Sequence, residues 1–127
     1  MNKRISFFIP FLKKGGAQRV AIQFANYLFS QKYCVDILVL SNEGIYFDEI
    51  QKDINVINFN KKKSILTIFN LIYYIKKNKP DMIFSSQPHI LPLLYIIKKI
   101  IGWQGRLVVR ETNNKKNYFY KKNKIFS

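Results

Sequence analysis

The sequence predicts an α/β fold, a doubly wound parallel sheet with helices on both faces. Short apolar runs rich in β-branched residues alternate with stretches whose apolar residues recur at helical spacing. The runs are apolar at consecutive positions, as strands covered on both faces are. Strand and helix then succeed one another along the whole chain, the order that right-handed crossovers require. The 127 residues are room for one domain. A hydrophobic content of 48% and an aromatic content of 16% exclude a disordered chain.

The elements follow in order. Ile5–Ile9 is a buried strand ended by Pro10, and Lys13-Lys14-Gly15-Gly16 is a turn. Ala17, Val20, Ala21, Phe24, Ala25 and Leu28 form the apolar stripe of a first helix. Val35–Leu40 is a second strand, and Phe47–Gln51 a short helical turn. Ile54, Val56 and Phe59 mark a third strand. Ser64 is placed to cap a second helix with the stripe Ile65, Ile68, Phe69, Ile72 and Ile75. That helix ends in basic residues before Pro80, which suits the negative end of its dipole. Asp81–Ser85 is a fourth strand. Leu93, Ile96, Ile97, Ile100 and Ile101 define a third helix ended near Gly102. Arg106–Arg110 is a fifth strand, and Lys115–Lys124 has no period. In such a sheet ligands bind at the carboxyl ends of the strands. That selects the loops at 10–16, 41–46, 60–63, 85–89 and 110–114.

The formal charge of +15 is unevenly spread. Residues 1–60 hold seven basic and five acidic side chains; residues 61–127 hold fifteen and two. A polycationic second half favours an anionic partner: nucleic acid, an acidic membrane leaflet or a phosphorylated substrate. A Lys-, Asn- and Ile-rich coding composition gives the same excess with no partner at all. A single cysteine, Cys34, excludes an internal disulfide and a cysteine-based metal site. Lys3-Arg4 before Ile5–Leu12 imitates a secretion signal, but Pro10 interrupts the run and lysines follow it. No run reaches the ~18–20 apolar residues of a membrane span.

The turn after the first strand discriminates among doubly wound folds. It lacks the G-x-G-x-x-G of dinucleotide binders and the Gly-Lys-Ser/Thr of phosphate-loop proteins. The acidic residues of phosphoacceptor receivers are replaced by Pro10 and Asn60. What remains is Gly15-Gly16-Ala17-Gln18-Arg19 opening a helix. It resembles the Gly-Gly-Ala-Glu-Arg signature in the amino-terminal domain of family 4 glycosyltransferases, with Gln18 in place of the usual Glu. Asn78-Lys79-Pro80-Asp81-Met82-Ile83 is similar to that family's entry to the fourth strand. Val109-Arg110-Glu111-Thr112-Asn113-Asn114 is similar to the segment after the fifth strand in transferases of bacterial surface glycans such as lipopolysaccharide or capsule.

The resemblance covers about residues 3–114. It implies residues 1–114 as a Rossmann-like, acceptor-side domain, an incomplete amino-terminal half of a GT-B fold, with 115–127 a basic aromatic tail. It implies a retaining transferase that uses a nucleotide-sugar as donor substrate, with no cofactor and no bound metal. Gly15, Gly16, Ala17 and Arg19 would face the donor diphosphate. The physical reason is that glycines let backbone approach a phosphate, and a helix amino terminus presents free N–H groups to it. An ordinary tight turn also uses Gly-Gly, and Arg19 also suits a surface ion pair.

Gln87, His89, Arg110, Glu111, Thr112, Asn113 and Asn114 would line the acceptor side. His89 also suits the first turn of the third helix, and the asparagines suit turns. Thr112 replaces the family's frequent histidine, so no general base is assigned. The acceptor implied is a glycan or lipid-linked one, on an anionic membrane at the cytoplasmic face of the inner membrane. Lys115–Lys122 mixes charge with aromatics as interfacial segments do. The donor side would come from a carboxyl-terminal domain or a separate chain, leaving this chain alone nearly inactive. Two alternatives stand beside this: a non-catalytic, membrane-recruiting subunit of a split transferase, and a basic nucleic-acid-binding module.

Overall fold

The computed structural model describes residues 3–10, 16–41, 47–86, 90–109 and 125–126. The strands are β1 Arg4–Phe8, β2 Cys34–Val39, β3 Asn55–Asn58, β4 Met82–Ser85, β5 Arg106–Val109 and β6 Ile125–Phe126. The helices are α1 Gly16–Ser30, α2 Ile68–Asn78 and α3 Leu91–Ile101. One sheet takes the order β3-β2-β1-β4-β5-β6. Its first five strands are parallel, as expected for a doubly wound fold. β6 departs from the all-parallel expectation. It comes from the segment read as a tail and pairs antiparallel with β5, Val108 opposite Ile125.

Consecutive strand residues are buried because alternate side chains enter two different helix layers. Ile5, Phe7, Ile9, Val35, Ile37, Val39 and Phe84 pack on one face with Ala21, Ile22 and Ala25 of α1. Phe8, Leu38, Leu40, Ile83 and Leu107 pack on the other with Leu71, Tyr74 and Ile75 of α2 and Leu94 and Ile97 of α3. Rings bind α1 to the sheet: Phe24 lies 5.7 Å from Phe7 and 5.6 Å from Phe84, both edge-on.

The sequence-read helix stripes are rotated in the structure. On α2 the buried residues are Leu71, Tyr74 and Ile75, whereas Ile65 and Phe69 are exposed. On α3 Ile97 is buried, while Ile96 and Ile100 face outward. These helices are apolar on more than one side, so spacing alone did not choose the inner face.

Ser64 does not cap α2. Ser64–Thr67 forms a 3-10 turn first, in which the Thr67 hydroxyl donates to the Ser64 carbonyl at 2.6 Å. Phe47–Glu49 is likewise a 3-10 turn where a short helical turn was expected. Both later helices end on left-handed residues, Lys79 at φ 48° and Gly102 at φ 68°. Glycine accepts that conformation without strain, and Pro80 follows Lys79 directly.

Candidate functional site

In this strand order the chain leaves β1 for one face and reaches β4 from the other. The neighbouring carboxyl ends of β1 and β4 are therefore the switch point, where connections diverge and a crevice opens. Phe8 stands opposite Ser85 there. The backbone on either side is tied down past the formal strand ends. Ser86 N–H donates to the Phe8 carbonyl at 3.3 Å, Ile9 N–H to Leu38 at 2.9 Å and Leu40 N–H to Pro10 at 2.9 Å. The backbone at this edge is thus fixed, and Ile9 and Pro10 are buried there.

Helix α1 returns antiparallel to β1, so its amino terminus stands at this same edge. Gly16 is its first residue and Ala17 its second. The first-turn amides of α1 lack carbonyl partners within the helix and carry its positive dipole end. The first turn of α1 holds no acidic side chain to occupy them. That is the electrostatic requirement of a diphosphate cradle.

Arg19 is exposed on the next turn, and its Nε lies 3.3 Å from a carboxylate oxygen of Glu49. Asn26 holds the same 3-10 segment from further along α1. Its amide nitrogen donates to the Glu49 carbonyl and its amide oxygen accepts from Gln51 N–H, both at 2.8 Å. The segment at Glu49–Gln51 is thereby tied to α1. Sequence reading allowed Arg19 both a phosphate role and a surface ion pair; the folded chain makes the ion pair.

Ser86 is the residue sequence reading passed over. It is buried just past the end of β4, and among the described residues its hydroxyl has no hydrogen-bond partner. An unsatisfied buried hydroxyl costs about 1–3 kcal/mol, so its place beside the switch point is notable. The signal available was the Ser85-Ser86 pair closing an apolar strand. Of the other expected site residues, Gly15, Gln87, His89, Arg110, Glu111, Thr112, Asn113 and Asn114 lie outside the described residues.

A second polar cluster sits toward the amino ends of the strands, inside the fold. The Arg4 guanidinium lies 2.7 Å from Asp36, which is buried. The Tyr74 hydroxyl donates to Asp36 and lies 2.5 Å from Ser6 Oγ. Burial, then the bond to Asp36, pushes the Tyr74 phenol well above its usual range. The bond to Asp36 raises Arg4 against a smaller opposing effect of burial. Every charged or hydroxyl group in this cluster is engaged by another, which makes it a structural tie rather than a reaction centre. A cavity of about 510 Å³ lined by Lys76, Lys79, Asp81 and Trp103 also lies at this amino edge, away from the crevice.

The fold is a Rossmann-like α/β domain with the amino terminus of α1 at the carboxyl edge of the sheet. Residues 9–121 match the family model described as glycosyl transferase 4-like. The chain belongs to that glycosyltransferase family. No curated protein matches it. Among solved structures it is similar to the lipopolysaccharide outer core galactosyltransferase WaaB in its apo form. That match has a TM-score of 0.59 at 17% identity, over 84% of this chain and 32% of that one. It is also similar to a glycosyltransferase from Rickettsia africae ESF-5. Here the TM-score is 0.67 at 20% identity, over 94% of this chain and 33% of that one. The chain spans about a third of the length of each. No helix among the described residues is long and apolar enough to cross a membrane.

Proposed function

We propose that this chain is the acceptor-side domain of a retaining glycosyltransferase. The complete enzyme would move a sugar from a nucleotide-sugar to a surface-glycan or lipid-linked acceptor, needing no resident metal or cofactor. The single observation that carries this is the amino terminus of α1, which begins at Gly16 at the carboxyl edge of the sheet and is free of first-turn acids. Family membership supplies the reaction class.

In this reading the amides of Gly15, Gly16 and Ala17 receive the diphosphate as it departs and stabilise its growing charge. Arg19 adds a cation once it leaves Glu49. Gln87, His89 and Arg110–Asn114 enclose the acceptor from the β4 and β5 loops. The base and sugar of the donor are held by a second domain, joined to this one or carried on a separate chain. The acceptor is presented by an anionic membrane at the cytoplasmic face.

The test uses the chain itself. Titrating inorganic pyrophosphate, then uridine diphosphate, into isotope-labelled protein should shift the amide resonances of residues 15–17 first. Gly15→Val should abolish those shifts while leaving the strand resonances in place. Shifts confined to the lysine-rich loops, with residues 15–17 unmoved, would remove the cradle assignment.

A further inference from the structure

The helix layer of α2 and α3 turns apolar side chains away from the core. Ile65 and Leu66 in the turn before α2, and Phe69 and Tyr73 on it, are exposed, Phe69 at 83% and Tyr73 at 67%. Positions 65, 69 and 73 succeed one another at four-residue spacing and form one stripe. Lys61-Lys62-Lys63 bracket the stripe at one end and Lys76-Lys77 at the other, all exposed. On α3, beside it, Ile96 and Ile100 are exposed next to Lys99. A lone exposed apolar side chain needs no explanation, but an ordered row does.

The cations and the rings are interleaved. Lys77 Nζ lies 5.7 Å from the Tyr73 ring centre, and Lys99 Nζ lies 5.4 Å from that of Tyr95. From Lys61 to Lys99 the sequence has eight lysines and one acidic residue, Asp81. Asp81 is engaged at the amino edge, accepting from Arg4 N–H at 2.8 Å. The layer therefore presents positive charge with nothing on it to neutralise that charge locally.

Charge and shape select the occupant. A second copy of this chain would set lysines against lysines. Nucleic acid would satisfy the lysines but leave Ile65, Leu66, Ile96 and Ile100 against water, since aliphatic side chains are poor stacking platforms. An anionic bilayer satisfies both: ammonium groups stay among the headgroups while apolar side chains enter the acyl boundary.

We propose that the outer face of α2 and α3 docks on an anionic lipid surface, with Phe69 and Tyr73 inserted between headgroups. This rests on the reading that the acceptor is membrane-borne. It moves the contact from Lys115–Lys122, where sequence pattern placed it, to α2. The position is useful for that acceptor. Lys61 N–H donates to the Leu40 carbonyl at 3.1 Å, so the 61–63 end of the stripe lies at the carboxyl edge of the sheet. Docking there brings the mouth of the crevice to the lipid surface.

Vesicle flotation of the full chain tests it, with phosphatidylcholine alone and phosphatidylcholine containing phosphatidylglycerol. The wild type should float with the anionic vesicles only. The double variant Phe69→Ser, Tyr73→Ser should bind at least about tenfold more weakly, a typical loss for two inserted aromatic side chains. Its melting temperature should stay unchanged, because both side chains are already in water. Lys76→Gln with Lys77→Gln should weaken binding too, and the binding that remains should be less sensitive to salt.

Unaltered binding in the aromatic variant, with loss on changing Lys115, Lys116, Lys121 and Lys122 to Gln, would overturn the docking face and leave the membrane-borne acceptor standing. Failure of the wild type to float with either vesicle would overturn both. Pyrophosphate shifts at residues 15–17 report separately on the transferase reading. Salt-dependent RNA binding that persists in Phe69→Ser, without vesicle binding, would assign the lysines to nucleic acid instead.

Discussion

The Arg4 guanidinium on β1 reaches the Asp36 carboxylate on β2 at 2.7 Å, and Asp36 is buried while Arg4 is about a third exposed. The same carboxylate accepts from the Tyr74 hydroxyl on α2, and its other oxygen lies 3.4 Å from the Asn55 amide on β3. One acid thus joins three strands and a helix. Removing Asp36 orphans several donors at once, so Asp36→Ala should lower unfolding free energy by about 3 kcal/mol. Arg4→Met should cost less, since water reaches the guanidinium. Urea midpoints measure both, and an Asp36→Ala midpoint equal to wild type would show the tie to be idle.

Tyr74 gives this cluster a pH signature. Its phenol titrates higher in the folded chain than the ordinary value of 10.0. Above about pH 10 the unfolded chain loses that proton while the folded chain keeps it, so stability must fall as pH rises there. Below pH 10 both states hold the proton and the contribution is fully present. Urea midpoints should therefore decline from pH 10 upward, and the decline should be shallower in Tyr74→Phe. Parallel declines in the two proteins would show that the phenol is not the group responsible.

Gly105 has no room for a side chain. A Cβ there would overlap the indole of Trp103. That ring donates from Nε1 to the Pro80 carbonyl at 2.8 Å and lies 4.8 Å from Lys98 Nζ. Lys98 in turn donates to the carbonyls of Trp103 at 2.9 Å and Gly105 at 2.5 Å. Gly105→Ala should displace the ring and cost about 2 kcal/mol, a typical overpacking loss. Trp103 is the only tryptophan, so its emission should shift to the red. An unmoved emission maximum would mean that the backbone yields instead.

Arg19 and Glu49 make an exposed pair, which contributes little to stability. Glu49→Gln should leave the melting temperature unchanged and free Arg19 for an anion. Pyrophosphate should then bind several-fold more tightly, and Arg19→Gln several-fold more weakly, with stability again unaffected. Equal affinity in all three proteins would confine Arg19 to the ion pair.

Much of the fold was legible in the residues alone, because strand burial on both faces writes itself as unbroken apolar runs. Five parallel strands, the left-handed glycine after α3 and the proline after α2 followed from local chemistry. The Gly-Gly-Ala entry to α1 was legible too, since few contexts place two glycines between a buried strand and an amphipathic helix. Other features depend on neighbours distant in sequence. Asp36 reads as one polar residue in an apolar run until Arg4, Tyr74 and Asn55 converge on it.

By itself the sequence determined the fold class and the asymmetry of charge along the chain. Only the tertiary structure decided which side of each helix meets the core. The helices are apolar on more than one face, so periodicity admits several rotations, and packing against a twisted sheet selects one. That choice sent Leu71, Tyr74 and Ile75 inward and left Phe69 and Tyr73 in water between lysine clusters. A basic excess spread along a sequence thereby became a basic and apolar surface on one layer of the fold.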